Sequence, residues 1–370
     1  MFEEIKNEIN DFENLNFKQK KIIETYFENQ KFISFLSKYY KNKSSKKRCE
    51  YDFTDYDKKY DLIVNFNKLN YLRYINHFLE RRNKNLCKGG ILIANFTTQG
   101  QLKKILIKKY SYLIGNIIFL IMLLFNSLSR INFIKSFFLF LKKFKIISKS
   151  LYSISTIGNG RLVSKAEVFG RFYSCGFKIL NYIEFNSMIF LVAEKIKNPD
   201  YNLDPSFSFL IKLKRIGINN SIFNVYKFRT MRPYSEYLQE YMYEKYALKD
   251  GGKIKNDFRV SYIGRLLRKF WIDELPMIIN VLRGEMKIVG VRPLSEHYFN
   301  LYTDEAKNKR IKSKPGLIPP FYADLPKTLD QIIDSELKYL NQYEKNPLKT
   351  DFKYFFICFY NIIFKGARSS

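Results

Sequence analysis

From Leu113 to Leu128 the chain reads LIGNIIFLIMLLFNSL, without one charged residue. No other stretch restricts the possible architectures as much. Lys108 and Lys109 precede it and Arg130 follows. Crossing a bilayer takes about 20 apolar residues, so this run is short for a span. It can be buried as core helices or dip into one leaflet. The next apolar stretch, INFIKSFFLFLKKFKII (131–147), has lysines every few positions. That spacing suits a helix lying at a membrane surface, its lysine stems reaching back to headgroups. Residues 108–149 together read as a membrane-associating helical insertion. Arg130, near the turn between the two stretches, argues against a full span and return.

The charge balance points to an anionic partner. The chain carries 64 Lys and Arg against 35 Asp and Glu, a formal charge of +29. Nucleic acid, acidic lipid and a phosphorylated substrate all fit, as does the plain lysine richness of an AT-rich coding sequence. Cys49, Cys87, Cys175 and Cys358 lie far apart, and His77 and His297 are the two histidines. A zinc site or a histidine-based triad is therefore not expected. Scattered cysteines fit a reducing compartment with free thiols. The N-terminal MFEEIKNEINDFENLNF is charged throughout and lacks the apolar core of a cleavable signal.

Outside the apolar run, α/β patterning dominates. Residues 1–50 are polar and helical in pattern and end in the basic run KNKSSKKR (43–48). YDLIVNF (60–66) reads as a strand, followed by a helical stretch to Leu86, a turn at Gly89 and Gly90, and a buried strand ILIANF (91–96). This favours a parallel layer. AEVFGRFYSCGFKILNYIEFNSMIFLVAEK (166–195) supplies a helix and two strands. The order of these elements resembles the C-terminal half of a class I methyltransferase fold. The Gly-rich loop that would hold a methyl donor is absent from residues 1–60, so residues 1–198 read as a degenerate, partial Rossmann-like scaffold carrying the insertion.

NPDYNLDPS (198–206) marks a boundary, and residues 199–370 form the second domain. It opens on a hairpin-like pair of apolar runs around Gly217-Ile218-Asn219-Asn220. Three motifs follow: KFRTM (227–231), DFRVSYIGRLLRKFWIDELPMIINVLRGEMKIVGVRPL (257–294) and KPGL (314–317). In this order and spacing they resemble the bacterial sugar transferase family, the monotopic phosphoglycosyl transferases, from about Asp204 to Pro320. The resemblance implies a compact α+β catalytic domain. It also implies transfer of a sugar-1-phosphate from a nucleotide diphosphate sugar to polyprenyl phosphate, with Mg2+, at the inner face of the cytoplasmic membrane. Asp273 would be the nucleophile and Glu274 the magnesium ligand.

The residues support that chemistry without the resemblance. A diphosphate needs cations around it and a nucleophile at phosphorus. Lys227, Arg229, Arg268 and Arg292 are the candidate clamp, since arginine pairs bidentately with phosphate oxygens. Of two adjacent carboxylates, one can attack phosphorus and the other hold a hard cation. Pro276 fits the first turn of a helix. Asp273 and Glu274 would then sit at its N-terminus, where the helix end lowers a carboxyl pKa. The structural alternative is that Asp273 merely caps the helix MIINVL. Supporting candidates are Asp257 and Arg259, open to reading as a surface ion pair, Glu285 near the metal, Gly290 and Pro293 shaping the loop of Arg292, and Lys314. Arg283 and His297 are given no substrate contact.

Three features depart from the family pattern. The apolar segment lies well upstream of the catalytic motifs and lacks a kinking proline. LIPPFYADLPKTL (317–329) replaces the usual polar segment. Phe270-Trp271 replaces the usual small hydroxyl residue before the acidic pair. Two other readings compete: a methyltransferase-like scaffold, and a basic nucleic-acid-binding protein. The second lacks a recognition motif, and nucleic acid is not among the expected partners.

Overall fold

A computed structural model of the chain describes residues 28–40, 47–50, 59–72, 74–128, 162–199, 208–246 and 257–365. It is a mixed α/β structure in two compact units. One comprises Met1–Ser206 with Pro233–Leu238, the other Phe207–Arg232 with Gln239–Ser370.

The first unit is built on a five-stranded sheet. Its strands are β1 (Lys47–Glu50), β2 (Tyr60–Lys68), β3 (Leu86–Phe96), β4 (Phe177–Phe185) and β5 (Met188–Lys195), in the order β1-β2-β3-β5-β4. The first three run parallel. β5 opposes both of its neighbours because Asn186 and Ser187, each with positive φ, turn the chain back as a tight hairpin. Helix α1 (Gln30–Tyr40) covers one face, with Phe32, Phe35 and Leu36 packed on Val64, Ile93 and Phe190. Helix α2 (Ile75–Asn85) makes the crossover from β2 to β3. The Gly89-Gly90 pair, expected in a turn, lies inside β3, where the pairing with β2 slips between Leu86 and Ile91. Gly89 supplies the left-handed backbone, φ 74°, that this irregularity needs.

Helices α3 (Gln99–Tyr110) and α4 (Tyr112–Leu128) follow. They turn back sharply at Ser111, φ 91°, and Gly115 lets them touch: a Cβ there would lie 2.7 Å from Ile107 Cα. Tyr112, Leu113, Ile114, Ile117 and Leu120 of α4 face outward. The described part of the charge-free run is therefore not a core helix. No helix among the described residues is long and apolar enough to cross a membrane. Residues 131–147, the expected surface helix, lie outside the described residues.

Helix α5 (Lys165–Ser174) packs Phe169 and Phe172 edge-on to Phe96 and Phe177. It also receives the returning segment Pro233–Leu238. Arg171 lies under the Tyr234 ring, pairs with buried Glu167, and donates to Asn76 and to the Tyr234 hydroxyl.

The second unit opens with the antiparallel hairpin β6 (Leu210–Ile216) and β7 (Ile222–Phe228), turned at Asn219 and Asn220 with positive φ, as the sequence indicates. Helices α6 (Gln239–Lys245), α7 (Tyr262–Lys269) and α8 (Ile278–Leu282) come next. Strands β8 (Lys287–Val289) and β9 (Gly316–Ile318) pair in parallel, with α9 (Glu296–Asn300) and α10 (Asp304–Arg310) between them. After the short α11 (Phe321–Asp324), the long helices α12 (Leu329–Lys345) and α13 (Pro347–Phe364) close the core around Val289, Ile318, Tyr339, Leu340, Tyr354 and Cys358.

One fully buried amide joins α8 to β7. Asn280 accepts from Tyr226 N at 3.1 Å and donates to Asn224 O and to Glu285 Oε2, both at 2.7 Å. Asn280→Ala leaves these groups without partners and should lower the stability of the full chain by about 1–3 kcal/mol. Ile278→Ala, at a 46% exposed position on the same helix, should cost much less. Urea titration of both variants checks this. Burial pushes the Cys175 and Cys358 thiols up to about 12. A thiol probe at neutral pH should label Cys87 and leave Cys175 and Cys358 unmodified in the folded protein, as read by peptide mass spectrometry.

Candidate active site

The site begins where β7 meets α7. Ser261 caps α7, its hydroxyl accepting from Gly264 N at 2.8 Å. Gly264 lies against the Thr230 backbone so closely that a Cβ would sit 1.9 Å from the Thr230 carbonyl oxygen. That carbonyl accepts from Ser261 N at 2.9 Å, and Arg268 Nε donates to Thr230 Oγ1 at 3.0 Å. The KFRTM segment and the arginine-bearing helix are thus locked together, and only glycine permits the approach.

Beyond α7 the chain turns at Trp271 into a 3-10 segment, Ile272–Met277, that leads into α8. Pro276 lies inside this segment, so the expected α-helical start at Pro276 is replaced by a tighter turn beginning at Ile272. Glu274 is 5% exposed. Its Oε1 accepts from Lys227 Nζ at 2.6 Å and its Oε2 from Trp271 Nε1 at 2.8 Å. Burial alone would raise its carboxyl. Lys227, then Arg292 and the indole N–H, outweigh that and hold it below the usual range. Burial has the larger say at Lys227, whose ammonium is pulled down despite Glu274.

Asp273 is half-buried beside this pair. Burial first, and the Glu274 charge second, push its carboxyl up, against the pull of Lys227 and Arg268. The sequence argument expected the opposite direction from a helix N-terminus. A short 3-10 turn aligns too few peptide dipoles to offset desolvation and a like charge. Neither the 3-10 segment nor α8 has a side-chain cap, so the capping role considered for Asp273 is not realised.

The candidate cations separate. Lys227, Arg268 and Arg292 act electrostatically on the acidic pair. Arg292 is half-buried, and its guanidinium makes no hydrogen bond or ion pair among the described residues. Arg229 Nε donates to Ser208 O at 2.7 Å. Asp257 and Arg259 form a buried, bidentate ion pair that also ties Gln239, rather than a surface pair. Glu285 is engaged by Asn280. Gly290 serves the approach of two strands, since a Cβ there would lie 2.9 Å from Gly316 N. Pro293 is buried, while Lys314 and His297 are exposed. Arg283 stacks on the Tyr226 ring and donates to its hydroxyl at 2.7 Å.

No group of three or more His, Cys, Asp or Glu is placed to hold a metal among the described residues. The local donors are the Asp273 and Glu274 carboxylates, and a carboxylate oxygen can accept more than one contact. Two carboxylates suit a magnesium ion that takes its remaining ligands from phosphate oxygens and water. Around the pair the surface is apolar: Ile263, Leu266 and Phe270 on and after α7, and Leu275, Ile279 and Leu282 on and before α8, are exposed.

From sequence Trp271 stands out only as a departure from the family pattern, without a role, and Asn280 does not stand out. A lone tryptophan next to the acidic pair was the available signal for the first. Nothing local marks Asn280, whose β7 partners Asn224 and Tyr226 are over 50 residues away. The Lys227–Glu274 pair gives a direct check. Lys227→Met strands a buried charge and should destabilise the chain by about 3–5 kcal/mol. The double variant Lys227→Met, Glu274→Gln should recover most of that loss in denaturant titrations.

The model of the family described as bacterial sugar transferase matches residues 169–365. The exopolysaccharide production protein ExoY of Sinorhizobium fredii is 37% identical over 146 residues, 38% of this chain and 61% of that protein. The galactosyl transferase CpsE of Streptococcus agalactiae is 32% identical over 133 residues, 35% of this chain and 29% of its own length. The undecaprenyl-phosphate galactose phosphotransferase of Salmonella typhimurium is 36% identical over 109 residues, 28% of this chain and 23% of that protein. Each alignment thus spans less than two thirds of the relative. The family match covers more than half of this chain and includes the KFRTM strand, the acidic pair and Arg292, and the chain belongs to the bacterial sugar transferase family.

Proposed function

We propose that the second unit transfers a sugar-1-phosphate from a nucleotide diphosphate sugar, a UDP-sugar by preference, to polyprenyl phosphate, initiating a lipid-linked glycan such as an exopolysaccharide or O-antigen. The observation that carries this reading is the pairing of unlike carboxylates. Glu274 is buried and held charged by two donors, while Asp273 is half-buried, does no capping, and has its carboxyl pushed up. The relatives' names point the same way, two of them to sugar transfer and one of these to an undecaprenyl-phosphate acceptor.

In the proposed reaction an Asp273 oxygen attacks the phosphorus that bears the sugar. The bond to the nucleoside monophosphate breaks, and that leaving group takes the electron pair. Arg268 and Arg292 hold the phosphate oxygens and offset the growing charge. An oxygen of polyprenyl phosphate then attacks the same phosphorus and frees the Asp273 carboxylate. Glu274, with Asp273 beside it, would hold magnesium, which when bound neutralises diphosphate charge. Lys227 keeps Glu274 ionised and in place.

A lipid acceptor places the reaction at a membrane, and the cytoplasmic face is the natural side for a nucleotide sugar. The exposed apolar faces of α4 in the first unit and α7 and α8 in the second support surface attachment without a span. We infer that residues 1–198 act as a methyltransferase-like scaffold without its donor loop, a reading supported by the β1-β2-β3-β5-β4 strand order with β5 reversed.

Donor sugar without lipid should give wild-type protein carrying a phosphosugar adduct, with release of nucleoside monophosphate, as read by intact-protein mass spectrometry. Asp273→Asn should abolish adduct and turnover while keeping the fold. An active Asp273→Asn protein would overturn the two-step reading. Glu274→Gln should lose activity that extra magnesium partly restores. Arg268→Ala and Arg292→Ala should each lose a charge-assisted contact of about 1.5–3 kcal/mol in transition-state binding. Arg283→Ala should lose less. Membranes washed at high salt or alkaline pH should retain the full chain and release a 108–149 deletion. Full release of the intact chain would refute the attachment.

A further inference from the structure

The residue that stands between α7 and the acidic pair is the chain's single tryptophan. Trp271 adopts φ 61°, ψ 15°, the left-handed conformation, directly after the helix C-cap Phe270. Glycine or asparagine is the usual occupant of such a position, because a Cβ there crowds the following carbonyl. A bulky aromatic residue is disfavoured at this backbone, so its side chain must supply a compensating interaction. Its flanking neighbours Phe270 and Ile272 are exposed, whereas Trp271 turns inward. The ring meets Tyr322 edge-on at 6.4 Å, and Nε1 donates to Glu274 Oε2 at 2.8 Å.

One donor does not fix a carboxylate. The terminal torsion of glutamate is broad, so a group held at one oxygen can still swing about that contact. Lys227, on a flexible four-carbon stem, holds Oε1. Trp271 holds Oε2 from a ring that is itself locked by packing. The indole N–H donates only, so it recognises the charged, accepting form of Glu274 and offers no alternative arrangement.

We propose that Trp271 is a positioning residue of the transfer reaction, its indole N–H fixing the plane of the Glu274 carboxylate against Lys227. This rests on the reading of Asp273 and Glu274 as the reactive pair. The ring's packing and the N–H bond are separable, and the proposal concerns the N–H.

The test replaces Trp271 in the full chain by β-(3-benzothienyl)alanine, which keeps the two-ring shape and lacks the N–H. Thermal melting should stay close to wild type. The rate of nucleoside monophosphate release on adduct formation should fall about 10–100-fold, and the magnesium concentration for half-maximal rate should rise, as for loss of a donor behind a metal-holding carboxylate. Trp271→Phe, with a smaller ring and no N–H, should show the same shift in magnesium dependence. Wild-type rate and magnesium dependence in the benzothienyl variant would overturn the proposal. A second measurement is independent of turnover and of that variant's folding. Ultraviolet resonance Raman of the single tryptophan should report a strongly hydrogen-bonded indole in wild type that weakens in Glu274→Ala. No change between the two would also overturn it. If wild type forms no adduct, the transferase reading fails whatever the Raman result. If wild type is active and the benzothienyl variant equally so, the inference about Trp271 fails alone.

Discussion

Glu274 carries its charge where almost no water reaches it, and much of the second unit is arranged around that fact. Burying an isolated carboxylate costs several kcal/mol even after relaxation. Here one donor comes from strand β7 and one from the turn after α7. Both must be in register, so β7 and the 272–277 segment cannot be placed independently. Asn280 secures the register by bonding the β7 backbone on either side of Val225, a core residue packed on Met277 and Met286. Thr230 does the same at the other end, receiving Ser261 and Arg268 across the Gly264 contact.

Burial first, and the charged Glu274 second, set the character of Asp273. Next to a fixed negative charge and partly desolvated, Asp273 is less comfortable as a carboxylate than an exposed aspartate. In the proposed reaction that discomfort is useful, because a poorly solvated carboxylate gains more by bonding to phosphorus. In that reading the two neighbouring acids divide their work by environment: one is bonded by two donors and stays an anion, the other is left reactive. In the proposed reaction Arg268 and Arg292 offset the charge of the pair toward an anionic substrate.

Apolar exposure is the other constraint, and it occurs in each unit separately. Helix α4 turns leucines and isoleucines outward, and α13 exposes Leu348, Phe352, Phe356, Tyr360 and Phe364. Neither helix is long and apolar enough to span a bilayer, yet each exposes several large apolar side chains. The shared solution, in the proposed function, is a lipid surface that also presents the acceptor. The excess of lysine and arginine suits the anionic headgroups of such a surface.

The sequence by itself determined the local elements and singled out the candidate acidic pair. Strands such as Tyr60–Lys68 and the hairpin turn at Asn219-Asn220 follow from patterning and turn chemistry, which act over a few residues. The acidic pair and its flanking arginines were legible because their motifs keep fixed spacing. Other features were decided only by tertiary structure. β5 runs against its neighbours, the paired glycines sit in a strand, and Arg229 bonds the Ser208 carbonyl while Arg268 and Arg292 act on the acidic pair. The direction of the Asp273 shift was decided there too, since desolvation depends on what packs around a group and not on its neighbours in sequence. Trp271 and Asn280 acquire their roles from partners brought together by folding. A hydrogen bond across 54 residues, such as Asn280 to Tyr226, leaves no periodic trace in a chain.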